Sequence, residues 1–169
     1  MPNRILIPHD GSDFSRQIFA HVARLLAPRE NELILLRIVP PPAGITGAPP
    51  RPMSADIPTP MYNSETDTEY ASHPIFASQE LETLKAQVIE ELEDDARQLK
   101  NAGFKVTVQC HVGDAAPEIV KFSNNEKIDA IAMTTHGRSG LSRLIFGSVA
   151  HAVLRDTALP VILFRPTQM

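Results

Sequence analysis

Arg4-Ile5-Leu6-Ile7-Pro8 is a short apolar run that gives way to His9 and the Asp10-Gly11-Ser12 turn, the punctuation that closes a buried strand and opens a helix. Phe14, Ile18, Val22 and Leu25 then recur at helical spacing, with Ser12 or Asp13 available as N-cap and Pro28 just past the end. A helix with one core face is predicted. Leu33 to Val39 is a nearly continuous apolar run of the kind found in parallel strands covered on both faces.

From Pro40 to about Ser78 the pattern is lost. Nine prolines fall among Ser, Thr and Gly, and each removes a backbone donor and restricts its predecessor, so a long loop over 40–78 is expected. From Gln79 the helical period returns, with Leu81, Leu84, Val88, Leu92 and Leu99 on one side, and Gly103 supplies the left-handed residue that ends a helix. Phe104 to His111 alternates, which predicts a strand near a sheet edge. Asp114 then caps a short helix with an early Pro117. Ile128 to Met133 and Pro160 to Phe164 read as two further strands, with a helix from Val149 to about Asp156 between them. Strands alternating with helices imply an α/β fold, a mostly parallel sheet with helices on both faces, because parallel neighbours need right-handed crossovers.

Composition narrows this reading. The 169 residues suit one domain over 1–169, and the 43% hydrophobic content can build its core. A formal net charge of -4 argues against a nucleic-acid partner, which would call for clustered Lys and Arg. The opening apolar patch is too short for a signal peptide's apolar region or a membrane span, so a cytoplasmic protein without a membrane partner is expected. The single cysteine, Cys110, makes no internal disulfide and reads as a small core residue on a strand. His21, His73, His111 and His151 have no partners at metal spacing and read as surface or packing residues. Glu90-Glu91 and Glu93-Asp94-Asp95 read as a solvated helix face, and no metal site or catalytic residue is assigned.

In such a sheet, ligands bind beyond the carboxyl ends of the strands, where the strand order reverses. The segment after the fourth strand, Thr134 to Ser148, contains His136, Gly137, Arg138, Gly140 and Gly147. Glycines let backbone amides approach an anion, and Gly147-Ser148 at a helix start adds unpaired donors and the positive end of the helix dipole. Ser148 can cap that helix or donate to a phosphate oxygen, while Arg138 and His136 supply charge or further donors. Glycines alone are equally compatible with simple turns and a helix cap. No GxxxxGK[ST], GxGxxG or GxSxG motif occurs.

Gly137, the nine residues Arg138 to Phe146, then Gly147 and Ser148 resemble the universal stress protein family, whose nucleotide-binding members carry Gly, two residues, Gly, nine residues, Gly and Ser or Thr. Thr134 stands in place of the first glycine. Ile5 to Ser12 is similar to the family's first strand and aspartate, and Val153-Leu154-Arg155 through Leu163 to its ending. The resemblance implies a Rossmann-like five-stranded sheet of order 3-2-1-4-5, and an adenine nucleotide, ATP favoured, with or without magnesium. By position it implies a nucleoside contact at Asp10 and an adenine contact from the backbone at Val39. It assigns the phosphates to His136, Gly137, Arg138, Gly147, Ser148 and Val149, with Thr134 beside the ribose or α-phosphate, and Gly140 of the same loop is counted with the nucleotide-binding residues. His9 stands where a small or aliphatic residue is more usual and is expected to point away from the nucleoside.

The leading expectation is a nucleotide-binding stress or signalling protein. It forms a homodimer through the edge strand Val161-Ile162-Leu163-Phe164, with the nucleotide as its small-molecule partner. Two alternatives stand beside it: a slow ATPase, and a nucleotide-free dimeric interaction protein in which Thr134 has closed the site.

Overall fold

The computed structural model describes residues 1–41, 74–135 and 147–166. By its internal contacts the chain divides into two compact units, Met1–Pro40 with Gln87–Met169, and Pro41–Ala86. The larger unit is built on a parallel sheet of β1 (Asn3–Pro8), β2 (Asn31–Val39), β3 (Lys105–Val112), β4 (Ala130–Thr134) and β5 (Val161–Phe164), in the order β3-β2-β1-β4-β5. Leu6 of the central strand stands beside Ile34 of β2 and Ile131 of β4. The order reverses between β1 and β4, so the first crossovers run one way from β1 and the last run the other.

Alternation along the strands divides the core in two. Leu6, Ile34, Leu36, Ile131 and Met133 face one side, where they meet Ile119 and Phe122 of α4 (Ala115–Asn125) and Ala150 and Val153 of α5 (Ser148–Asp156). Ile5, Ile7, Leu33 and Leu35 face the other side and are equally buried. That second side belongs to α1 (Asp13–Arg16), α2 (Ile18–Leu25) and the part of α3 (Pro74–Asn101) from Gln87 onward, as contacts of α1 and α2 with β4 and the Arg37–Glu91 ion pair at 2.6 Å attest. Each fully buried aliphatic side chain of this kind contributes about 1.5–3 kcal/mol.

Several expectations are corrected. The predicted first helix is two, α1 and α2, joined at Gln17, and Leu25 is 60% exposed while Phe19 fills the core position. Helix α3 begins at Pro74 and not at Gln79, since proline is tolerated in a first turn whose amides have no partner within the helix. Residues 42–73 of the expected loop lie outside the described residues. Helix α4 runs to Asn125, longer than expected, and Asp114 occupies its N-cap position without a side-chain cap bond. Cys110 is only half-buried, as its edge strand β3 allows. In the smaller unit, the described part of α3 carries a Lys85–Glu82 pair at 2.9 Å.

Other features fall where the sequence puts them. Gly103 closes α3 at φ +94°. Gly11 sits at φ +79°, and a side chain there would also strike the Arg37 guanidinium, 2.6 Å from where its Cβ would lie. The guanidinium end of Arg37 can swing aside, so the positive φ is what fixes glycine beside Asp10. No helix among the described residues is long and apolar enough to cross a membrane.

Candidate functional site

The carboxyl ends of β1, β2 and β4 and the amino ends of α4 and α5 enclose a cavity of about 290 Å³. Its floor is apolar, from Leu36, Ile38, Ile119 and Met133. Around it stand His9 and Asp10 after β1, Thr134 and Thr135 at the end of β4, and Gly147, Ser148 and Val149 at the start of α5. It lies at the point where the strand order reverses, the position at which open α/β sheets take their ligands.

Of the expected site residues, Asp10, Thr134, Gly147, Ser148 and Val149 therefore come together around one cavity. Val39 ends β2 with its carbonyl accepting from the Gly113 amide at 2.9 Å, while its neighbours Leu36 and Ile38 line the cavity. His136, Gly137, Arg138 and Gly140 lie outside the described residues. The lining of Leu36 and Ile38 is legible in hindsight from strand alternation, which turns even-numbered β2 positions to this side.

The start of α5 differs in detail from the sequence expectation. Gly147, not Ser148, is the N-cap residue, and no side chain caps the helix. The Gly147 amide is not an unpaired donor, for it donates to the Thr135 carbonyl. Ser148 and Val149 occupy the first turn, whose amides have no carbonyl partner within the helix, and they sit at the positive end of its dipole. Gly147 has φ −65° and ψ 156°, which any residue adopts, so a need for glycine there rests on space beside the cavity rather than on backbone conformation.

Behind Asp10 lies a buried polar cluster that sequence reasoning missed. Ser12 caps α1 through its Oγ, which accepts from the Ser15 amide at 3.2 Å. The same hydroxyl donates to Asp10 Oδ1 at 2.6 Å, and the Ser12 amide reaches that oxygen at 3.0 Å. His9 is buried, its ring edge-on to Phe19, with Nδ1 2.6 Å from Ser15 Oγ and Nε2 2.8 Å from Asp95 Oδ2. Asp95 is also held by Arg16 Nε at 2.8 Å. It is thus a half-buried partner of His9 and Arg16, not a member of a solvated acidic face.

Burial pushes the His9 imidazole below its ordinary value, against the opposing pull of Asp95 and Asp10. Burial pushes Asp95 the other way, but the hydrogen bonds from Arg16 and His9 outweigh it and hold the carboxyl below the usual range. The order hydroxyl, imidazole, carboxylate is that of a nucleophilic triad. Ser15 is not placed to act as one: it is 4% exposed, and its Oγ is already surrounded by His9, the Ser12 carbonyl at 2.8 Å and the Ser12 hydroxyl at 3.2 Å. Among the described residues no group of His, Cys, Asp and Glu is arranged to hold a metal ion.

Fold and cavity together define a doubly wound α/β protein with a cleft at its topological switch point. The chain belongs to the Universal stress protein family, whose model matches residues 1–165. It is similar to Universal stress protein MJ0531 of Methanocaldococcus jannaschii, 27% identical over 164 residues, which cover 96% of this chain and 81% of that protein. Universal stress protein Slr1230 of Synechocystis is 39% identical over 79 residues, 47% of this chain and 28% of that relative's length. Among solved structures, hypothetical protein MJ0577 has a TM-score of 0.73 at 24% identity, covering 100% of this chain and 99% of that one. An Arabidopsis thaliana family member with AMP bound has a TM-score of 0.61 at 14% identity, over 98% and 93% of the two chains. A universal stress protein in complex with cAMP has 0.59 at 17%, over 98% of each. These structural likenesses carry the fold.

Proposed function

We propose that this chain binds an adenine nucleotide, ATP in preference, with or without magnesium, and acts as a stress-response or signalling dimer. The observation that carries the reading is the cavity itself: an apolar floor fit for a planar base, with a carboxylate on one side and a helix amino terminus on the other. At 290 Å³ it is near the lower end of the roughly 300–1,000 Å³ typical of small-molecule sites, a size that suits the nucleoside part. Asp10 accepts from ribose hydroxyls, and the Val39 carbonyl, which has a second lone pair beside its bond to Gly113, accepts from the base. The first-turn amides of Ser148 and Val149, beside Gly147 in the cavity wall, receive phosphate, with His136, Gly137, Arg138 and Gly140 completing that end. Thr134 adds a β-carbon and hydroxyl beside the ribose and α-phosphate. Relatives solved with AMP and with cAMP support the ligand class.

Calorimetry tests the reading. Gly147→Val fills the space of a phosphate and is expected to abolish ATP binding, whereas Asp10→Ala weakens adenosine and ATP alike. A Gly147→Val protein that binds ATP as the parent does removes the site from this end of the sheet.

A further inference from the structure

The loop that carries Asp10 is tied to α3 by a continuous line of hydrogen bonds for which nucleotide binding in itself has no use. Asp95 stays ionised between Arg16 and His9, so its Oδ2 accepts the Nε2–H of the imidazole at 2.8 Å. A neutral imidazole then has Nδ1 as its acceptor, and the Ser15 hydroxyl, 2.6 Å away, donates to it. The Ser15 amide donates to Ser12 Oγ at 3.2 Å, and Ser12 fixes Asp10 Oδ1 through both its hydroxyl and its amide. Asp95, His9, Ser15 and Ser12 thus connect a helix on the second side of the sheet to the carboxylate at the cavity, with Ser15 bonded to His9 by its hydroxyl and to Ser12 by its amide. Every buried polar side-chain atom described along this line has a hydrogen-bond partner.

We propose that His9 and Asp95 are positioning residues of the nucleotide site: they hold the Ser15 hydroxyl, and with it the Ser15 amide that fixes Ser12, whose hydroxyl in turn holds the Asp10 carboxylate at the cavity. The proposal rests on the reading of Asp10 as the nucleoside ligand. Asp95 is the anchor, since its charge is shared with Arg16 and its backbone belongs to a 28-residue helix. His9 is the joint, because it alone touches both the anchor and the Ser15 hydroxyl. Arg16, itself paired with Asp13 at 3.0 Å, and Asp10 are the other charged groups facing it.

Donor and acceptor directions make this testable in the full-length chain, with adenosine as the probe because it has no phosphate and reads the Asp10 end alone. In His9→Gln the amide still donates to Asp95 but nothing accepts from Ser15. Adenosine affinity is expected to fall about tenfold, the worth of about one net hydrogen bond. His9→Asn sets a carbonyl oxygen near the Nδ1 position and restores that acceptor while giving up the bond to Asp95, so it recovers affinity only in part, to about threefold below the parent. Ser15→Ala, a smaller change that removes only the hydroxyl, falls as far as His9→Gln, and the two losses do not add. Cooperative urea unfolding of each variant checks that it is folded, and Ser15→Ala decides the matter should His9→Gln fail to fold. Equal losses in His9→Gln and His9→Asn, or no loss in Ser15→Ala, overturn the proposal. Asp10→Ala separates the two readings: unchanged adenosine binding there refutes Asp10 as a ligand, while a loss there with none in Ser15→Ala refutes only the positioning role.

Discussion

His9 is a buried base with an acceptor hydrogen bond on one ring nitrogen and a carboxylate on the other, and its protonation has a definite consequence for stability. Its folded-state pKa lies below the ordinary 6.5, so the unfolded chain takes up the proton first as pH falls. The stability it carries is complete above about pH 6.5 and is lost as pH falls from there toward the folded value. Asp95 acts in a lower window: its depressed pKa adds stability that is present above the ordinary 3.8 and lost as pH falls through the folded value. The urea midpoint is therefore expected to decline from pH 7 to pH 5, and in His9→Asn most of that decline should vanish, since asparagine does not titrate. A decline of the same slope in His9→Asn would show that other groups cause it. At this scale the sequence was legible only in part. Asp10, Thr134, Ser148 and Val149 could be placed because a strand end or helix start fixes them, whereas the Asp95–His9 contact joins residues 86 apart and leaves no local periodicity to read.

Element by element, apolar spacing identified what long-range packing then trimmed. Val88, Leu92, Ala96 and Leu99 form the buried stripe of α3, and the i, i+4, i+8 positions among them follow from the helical period. Ala96 escaped notice because alanine carries little apolar signal. Charge misled at Asp95, where an acidic run looked solvated, because a single carboxylate turned inward is invisible until its cation is known. Leu92 is 0% exposed and Ile89, on the same helix, 38%. Leu92→Ala is expected to cost about 2–5 kcal/mol in denaturant titration, through lost transfer energy and the cavity left behind. Ile89→Ala should stay within about 0.5–1 kcal/mol, since its side chain is already wet. Comparable losses at the two positions would mean that α3 packs on a different face.

For the whole molecule, the strand order leaves β3 and β5 at the two edges of the sheet. β5 is short and apolar, and an edge of that kind presents unpaired backbone groups to a second chain. Pairing with the same strand of a twofold-related copy is the simple closed solution, and it accounts for the proposed homodimer. The backbone of β5 shows which residues would make it. The Pro160 and Phe164 carbonyls both accept from β4, at Ile131 (2.9 Å) and Thr135 (2.8 Å). Because successive backbone groups along a strand alternate in direction, Ile162 also turns toward β4, while the amides of Val161 and Leu163 turn to the open edge. A proline at Ile162 would therefore damage the sheet within one protomer and would say little about assembly. Leu163→Pro removes an outward donor, and edge strands tolerate proline there, although part of the packing of Leu163 on the core is lost. Light scattering is expected to find the parent dimeric at micromolar concentration and Leu163→Pro monomeric, with cooperative unfolding retained. Ile162→Pro should instead lower the unfolding midpoint well below that of Leu163→Pro. A parent that stays monomeric at high micromolar concentration, or a Leu163→Pro variant as dimeric as the parent, would move assembly away from this edge.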